Sequence, residues 1–141
     1  MKPVQLFTDG SALGNPGPGG WCAILRYGDK ERTLKGREAH TTNNRMELLA
    51  VIEALKVLKE PCEVTLFSDS TYVVRGINEW LAGWRKRNFA RVKNPDLWQA
   101  YEVCAHPHRV EANWVRGHDG HAENERCDAI ARAEAEAVRA R

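Results

Sequence analysis

Long apolar runs are missing from this chain. No stretch approaches the ~18 consecutive apolar residues that a membrane-spanning helix needs. The opening Met1-Lys2-Pro3-Val4 does not begin a secretory signal, because Asp9-Gly10-Ser11 interrupts any apolar segment behind it. A cytoplasmic location is therefore the expectation. Cysteine is scarce as well. Cys22, Cys62, Cys104 and Cys127 stand far apart and form no C-x-x-C pair. That argues against a structural zinc site and leaves them as small, mostly buried hydrophobes. Residues 10–20 hold five glycines and two prolines but no G-x-x-x-x-G-K-[ST] pattern, and no helix pattern follows directly. The stretch is not a nucleotide cradle; its expected use is to let backbone approach something closely. Acidic residues are absent from positions 80–95, which carry Arg85, Lys86, Arg87, Arg91 and Lys93 with Trp80, Trp84 and Phe89 interleaved. A local positive block with aromatics suits a polyanion, although a solvated loop would have the same composition.

What is present describes one domain spanning residues 1–141. The hydrophobic fraction of 43% and charged fraction of 28% are those of a globular protein with a real core. One phrase occurs twice. Leu6-Phe7-Thr8-Asp9-Gly10-Ser11 returns as Leu66-Phe67-Ser68-Asp69-Ser70-Thr71. Residues 4–9 and 64–69 both read as strands that stop at an aspartate. Side chains alternate on a strand, so Asp9 shares a face with Phe7, and Asp69 with Phe67. If the two strands are parallel neighbours, their carboxylates lie about one strand spacing apart, ~5 Å. Two ionised carboxylates that close require a shared proton or a cation.

Further strands are expected at 21–27, 31–36 and 109–115, and helices at 45–59, 71–81, 95–104 and from 124 onward. Three hairpin-linked strands followed by strands joined through helices make an α/β fold with a mixed sheet. Two more acids fall in telling places. Glu47, in the first turn of the 45–59 helix, aligns with Val51, Ala54 and Leu58 and so points inward. The spacing Asn44-x-x-Glu47 is also that of a capping box, which is the favoured reading of Glu47 on its own. Asp128 aligns with Ala131, Ala135 and Val138, and a first-turn aspartate would equally suit the helix macrodipole. Four carboxylates at strand ends and helix starts fit an oxygen-rich site for hard cations, with two Mg²⁺ ions clamping an in-line displacement at phosphate.

Five blocks in order carry a resemblance: Thr8-Asp9-Gly10-Ser11; Asn15-Pro16-Gly17-Pro18-Gly19-Gly20; Thr42-Asn43-Asn44-Arg45-Met46-Glu47; Ser68-Asp69-Ser70-Thr71; and Trp114-Val115-Arg116-Gly117-His118-Asp119-Gly120-His121 with Asn124-Glu125-Arg126-Cys127-Asp128. Together they closely resemble the bacterial ribonuclease HI family. The resemblance implies a ribonuclease H-like fold with a five-stranded mixed sheet, three antiparallel strands then two parallel, flanked by helices. It also implies endonucleolytic, largely sequence-independent hydrolysis of the RNA strand of an RNA–DNA hybrid by a monomer. Two Mg²⁺ ions would serve it, or Mn²⁺ in their place, leaving 3′-hydroxyl and 5′-phosphate ends. Asp9, Glu47, Asp69 and Asp128 would be the metal ligands, Asp9 bridging both ions, and His118 the catalytic-loop histidine. His106, His108 and His121 read as surface histidines.

For the substrate, the resemblance assigns Gly10, Ser11 and Glu47 to RNA 2′-hydroxyls, and Asn15, Asn43 and Asn44 to the minor groove. Thr42 and Asn94 would hold a DNA-strand phosphate, and Trp80 and Trp84 would line the DNA channel beside Arg85 and Lys86. Turn and cap chemistry can account for the asparagines at the same time, and Trp80 also continues the Val73/Ile77 stripe toward the core. His40 departs from the family pattern, where an arginine often stands near the phosphate pocket, and the basic protrusion is shortened. A DNA-cutting relative of the wider superfamily is disfavoured by the asparagine trio and by Trp80 and Trp84.

Overall fold

The two repeated runs lie side by side at the middle of the sheet. The computed structural model describes residues 1–117 and 121–140. Among these, β1 (Lys2–Ala12), β2 (Gly17–Tyr27), β3 (Lys30–Thr41), β4 (Cys62–Ser68) and β5 (Arg109–Trp114) form one sheet in the order β3-β2-β1-β4-β5. β3, β2 and β1 are antiparallel; β4 and β5 join in parallel. The parallel pairs are connected through α1 (Asn43–Lys56), and through α2 (Thr71–Arg75), α3 (Leu81–Lys86) and α4 (Pro95–Ala105). α5 (Ala122–Arg139) covers the other face.

Alternation along β1 divides the core. Val4 and Leu6 point toward α1, where Leu48, Val51, Ile52 and Leu55 are buried with Val64, Leu66 and Trp98. Phe7 points the other way, into a smaller cluster with Cys22, Ile24, Cys127 and Ala131 under α5. Phe7 pairs with Phe67 across the parallel junction, their rings stacked 5.3 Å apart. The three cysteines at 22, 62 and 127 are buried, Cys104 is half-buried, and all four are free thiols.

Several boundaries differ from the sequence expectations, for identifiable reasons. Gly17, Gly19 and Gly20 belong to β2 rather than to a loop. A side chain on Gly20 would run into the α5 backbone at Ala131, and one on Gly19 into Thr41. Glycine here lets a helix lie directly on a strand. β3 continues to Thr41, well past residue 36; exposed on most of its length as an edge strand, it carries no apolar alternation to mark its end. The helix that begins at Thr71 does not stop at 81. It passes through a π-helical turn (Gly76–Trp80) into α3, ending at Lys86. Gly76 is the cause of the close fit, since any Cβ there would collide with the Trp98 indole. The wider turn delays the apolar stripe by a residue, so Leu81 is buried and Trp80 only half-buried.

The basic block after α3 is wound tightly. Asn88, Phe89, Arg91 and Asn94 all have positive φ, between 53° and 64°. Such values strain non-glycine residues, and here Phe89 offsets the strain by packing on the core.

Candidate active site

β1 and β4 part company just above the phenylalanine pair. Their pairing ends at Phe7 and Phe67, while β1 runs on to Ala12 and β4 stops at Ser68. Asp9 and Asp69 flank that fork. Glu47 reaches them from α1, whose first turn passes directly over Gly10. A Cβ on Gly10 would overlap the Glu47 nitrogen and the Met46 carbonyl carbon, so only glycine permits the approach. Among the described residues, Asp9, Glu47 and Asp69 form one group whose carboxylate oxygens lie within 4.8 Å of one another.

The Gly10 amide lies between two of them, donating to Asp9 Oδ1 at 2.9 Å and to Glu47 Oε1 in a very short contact. Glu47 is not the box partner of a cap. The N-cap of α1 is Thr42, whose hydroxyl accepts from the Arg45 amide at 3.3 Å. Counting from Thr42 puts Arg45 at the box position, and Glu47 is turned into the protein at 5% exposure.

Burial and mutual proximity keep these acids from ionising independently. Burial pushes the Glu47 carboxyl well above the ordinary range, and the hydrogen bond with Asp9 adds to it. Asp9 is raised to about 6, chiefly by burial and further by the charge of Asp69, while the Glu47 hydrogen bond opposes the shift. In the metal-free chain the pair therefore favours holding a proton between its two carboxyls. A cluster of hard oxygen donors that cannot carry its full negative charge alone is chemically suited to a divalent cation.

Asp128 stands apart from this group. It is half-buried on α5, and its Oδ1 accepts from Arg132 Nε at 3.2 Å. Its charge still raises the Asp9 pKa. Because α5 starts at Ala122, the first-turn acids are Glu123 and Glu125, so the macrodipole does not explain Asp128. His118 lies outside the described residues. His121 is exposed at the start of α5, and His106 is exposed as expected. His108 is not a plain surface histidine: its Nδ1 accepts from the Cys62 amide at 3.0 Å, and burial lowers its pKa.

The other expected substrate groups surround the fork. Asn15 Oδ1 accepts from the Asn43 amide at 3.0 Å, and Asn43 Oδ1 accepts from the Ala12 amide at 3.2 Å, tying the turn after β1 to the start of α1. Asn44 is exposed, and Ser11 is half-buried beside Gly10. Asn94 is joined to the α1 N-terminus, since Arg45 donates to Asn94 Oδ1 at 3.2 Å and pairs with Asp96 at 2.7 Å. The Asn94 amide in turn donates to the Tyr72 hydroxyl. Trp80 carries the Arg75 guanidinium over its ring at 4.9 Å, and Trp84 packs edge-on to Trp98 at 5.1 Å. Arg85 is paired with Glu102 of α4, so part of the basic block is neutralised by a residue remote in sequence, while Lys86 is exposed. Sequence reasoning missed Arg45, whose pairing to α4 has no local signature. It also missed Trp114, whose indole donates to the Asp69 carbonyl at 3.1 Å.

The ribonuclease H family model matches residues 1–136. The chain belongs to the ribonuclease H family. Among curated relatives, ribonuclease HI of Helicobacter pylori is 59% identical over 136 residues, covering 96% of this chain and 95% of that protein. A ribonuclease H of Campylobacter concisus is 62% identical over 135 residues, covering 96% and 94%. Among solved structures, LC9-RNase H1, described as a type 1 RNase H with the type 2 active-site motif, superposes with a TM-score of 0.89 at 34% identity. That match covers 98% of this chain and 74% of the other. LC11-RNase H1, solved in complex with RNA/DNA hybrid, shares the fold with a TM-score of 0.68 at 23% identity, covering 96% and 98%. The five-stranded mixed sheet is thus that of the ribonuclease H fold.

Proposed function

We propose that this chain is an endoribonuclease that hydrolyses the RNA strand of RNA–DNA hybrids with two divalent metal ions, leaving 3′-hydroxyl and 5′-phosphate ends. The observation that carries the reading is the Asp9, Glu47 and Asp69 fork in a member of the ribonuclease H family. Asp9, Glu47 and Asp69 would hold Mg²⁺, or Mn²⁺ as a substitute, with Asp128 joining them on release from Arg132. When bound, the metal supplies a Lewis acid for the phosphate and an activated water.

The chain's own residues do the remaining work. The Asp9–Glu47 pair would give up its proton when positive charge enters the fork, because that charge offsets both the desolvation of the carboxylates and their mutual repulsion. The Gly10 amide holds the Asp9 and Glu47 carboxylates in one orientation. His118 would assist proton movement or product release. Backbone at Gly10 and Ser11 lies beside the fork and would test 2′-hydroxyls, while Asn15, Asn43 and Asn44 would offer donors and acceptors to a groove without demanding one base. Thr42 accepts from the Arg45 backbone amide and Asn94 from its guanidinium, and the two would bracket a DNA-strand phosphate. Trp80, Trp84, Arg85 and Lys86 lie on the α3 side and would follow the DNA strand, with Lys86 carrying more of the free charge than the paired Arg85. Cytoplasmic action as a monomer belongs to the same proposal.

Labelled RNA–DNA hybrid, duplex DNA and duplex RNA incubated with and without Mg²⁺ test the reading together. The expected outcome is cleavage of the hybrid's RNA strand alone, only with metal, giving 3′-hydroxyl ends. Cutting of duplex DNA, or an intact hybrid at saturating Mg²⁺, would overturn it.

A further inference from the structure

Asp69 lies one residue beyond the end of β4 and two beyond the last pair that β4 makes with β1. The parallel junction that carries the strand therefore does not orient it. Edge strand β5 does. Ser68 pairs with Trp114, and the Val115 amide donates to the Ser68 carbonyl at 2.9 Å. The Trp114 indole N–H then donates to the carbonyl of Asp69 itself at 3.1 Å. On the far side, the Ser70 amide donates to Ser68 Oγ at 3.1 Å. Two successive carbonyls and the amide behind them are thus fixed, and with them the direction of the Asp69 Cα–Cβ bond.

Two further observations point to the same residue. Trp114 is 50% exposed, an unusual position for the largest apolar side chain when a sheet face is available to cover it. Its ring is held at the surface by a polar bond, not by the core. Gly117 passes so close to the carboxylate that an added Cβ would stand 2.9 Å from Asp69 Oδ2. The end of β5 and the turn behind it leave the carboxylate one narrow place.

We propose that Trp114 is a positioning residue that aims the Asp69 carboxylate into the fork, with Gly117 providing the clearance it needs. The inference rests on the reading of the fork as the metal site. An indole N–H on a backbone carbonyl controls the peptide plane between Asp69 and Ser70; without it, the carboxylate swings away from Asp9 and Glu47. Misplacement on the scale of 1 Å costs up to ~100-fold in rate.

Trp114→Phe removes the donor and keeps a ring, so it separates positioning from stacking. The expected result is a kcat lowered roughly 10-fold with KM within about twofold, the signature of a lost transition-state interaction. Calorimetric titration of Mg²⁺ into the protein without nucleic acid should show affinity weakened several-fold, and hybrid binding in the absence of metal should not change. Gly117→Ala brings a methyl group against the Asp69 carboxylate itself and should reproduce the pattern. Wild-type kcat and Mg²⁺ affinity in Trp114→Phe would overturn the inference. So would a raised KM at unchanged kcat, which would make the exposed ring a substrate contact. Asp69→Asn is run beside them: if that variant cleaves normally, the reading of the fork fails, whatever Trp114 does.

Discussion

Asp9→Asn is expected to abolish cleavage and, without divalent metal, to raise the melting temperature. The two effects have one origin. Asp9 is 7% exposed and shares its space with Glu47 and Asp69. Its pKa is raised from 3.8 to about 6, first by burial. The unfolded chain releases this proton near pH 4, whereas the folded chain keeps it until about pH 6. Between those values the folded state binds more protons, so stability falls as pH rises through the window. Below the window there is no penalty; above it the penalty is complete, and a shift of this size corresponds to about 3 kcal/mol. Asparagine keeps the shape and removes the charge. Metal-free melts should therefore coincide for wild type and variant below about pH 4 and separate by roughly 10 °C above pH 6. Added Mg²⁺ should narrow the gap by stabilising the wild type alone. A metal-free Asp9→Asn that melts well below wild type at pH 7 would show that the carboxylate has a structural partner outside the fork.

Gly10→Ala should damage the fold and the site together. The new methyl would overlap the backbone of Met46 and Glu47, and it would stand 2.7 Å from the Met46 carbonyl oxygen. Neither neighbour is the flexible end of a side chain, so the start of α1 must retreat from β1. Overpacking of this kind costs about 1–3 kcal/mol, and the displaced Glu47 loses its bond from the Gly10 amide. Cleavage should fall by ~100-fold or more, because the carboxylate moves relative to Asp9. Gly83→Ala is the matched control. Nothing lies within 4 Å of a Cβ at that position of α3, and alanine there should leave activity unchanged and stability equal or slightly higher. Melting curves and initial rates for the two variants give the comparison; a Gly10→Ala protein with wild-type rate would mean that α1 is not constrained by β1.

The repeated phrase was legible because a strand ending in aspartate has a recognisable pattern, and finding it twice invites the question of how two carboxylates coexist. Parallel pairing in the observed register answers it, with Phe7 beside Phe67. Glu47 was legible only in part. Its helical alignment with Val51 and Ala54 turns it inward, as observed, but the capping-box spacing points to Asn44 whereas Thr42 holds the cap. Four consecutive residues at 41–44 can each cap a helix, and local chemistry does not choose among them. The extension of β3, the π-helical turn at Gly76–Trp80 and the left-handed residues from Asn88 to Asn94 left no pattern in the sequence. The pairing of charges was equally hidden. The basic block has no acid within it, yet Arg85 finds Glu102 from a neighbouring helix. Trp114 is the clearest case: the role proposed for it depends on a single hydrogen bond to a backbone carbonyl just beyond the end of β4.

The central claim is that Asp9, Glu47 and Asp69 exist in this arrangement to hold the cations that cut RNA. Anomalous diffraction from Mn²⁺-soaked crystals of the chain bound to an RNA–DNA hybrid tests it most directly. Two anomalous peaks roughly 4 Å apart, both against the Asp9 carboxylate and both beside the RNA phosphate, are the result the account predicts. Peaks remote from Asp9, Glu47 and Asp69, or no peak at the fork while the hybrid is bound and cleaved, would contradict it.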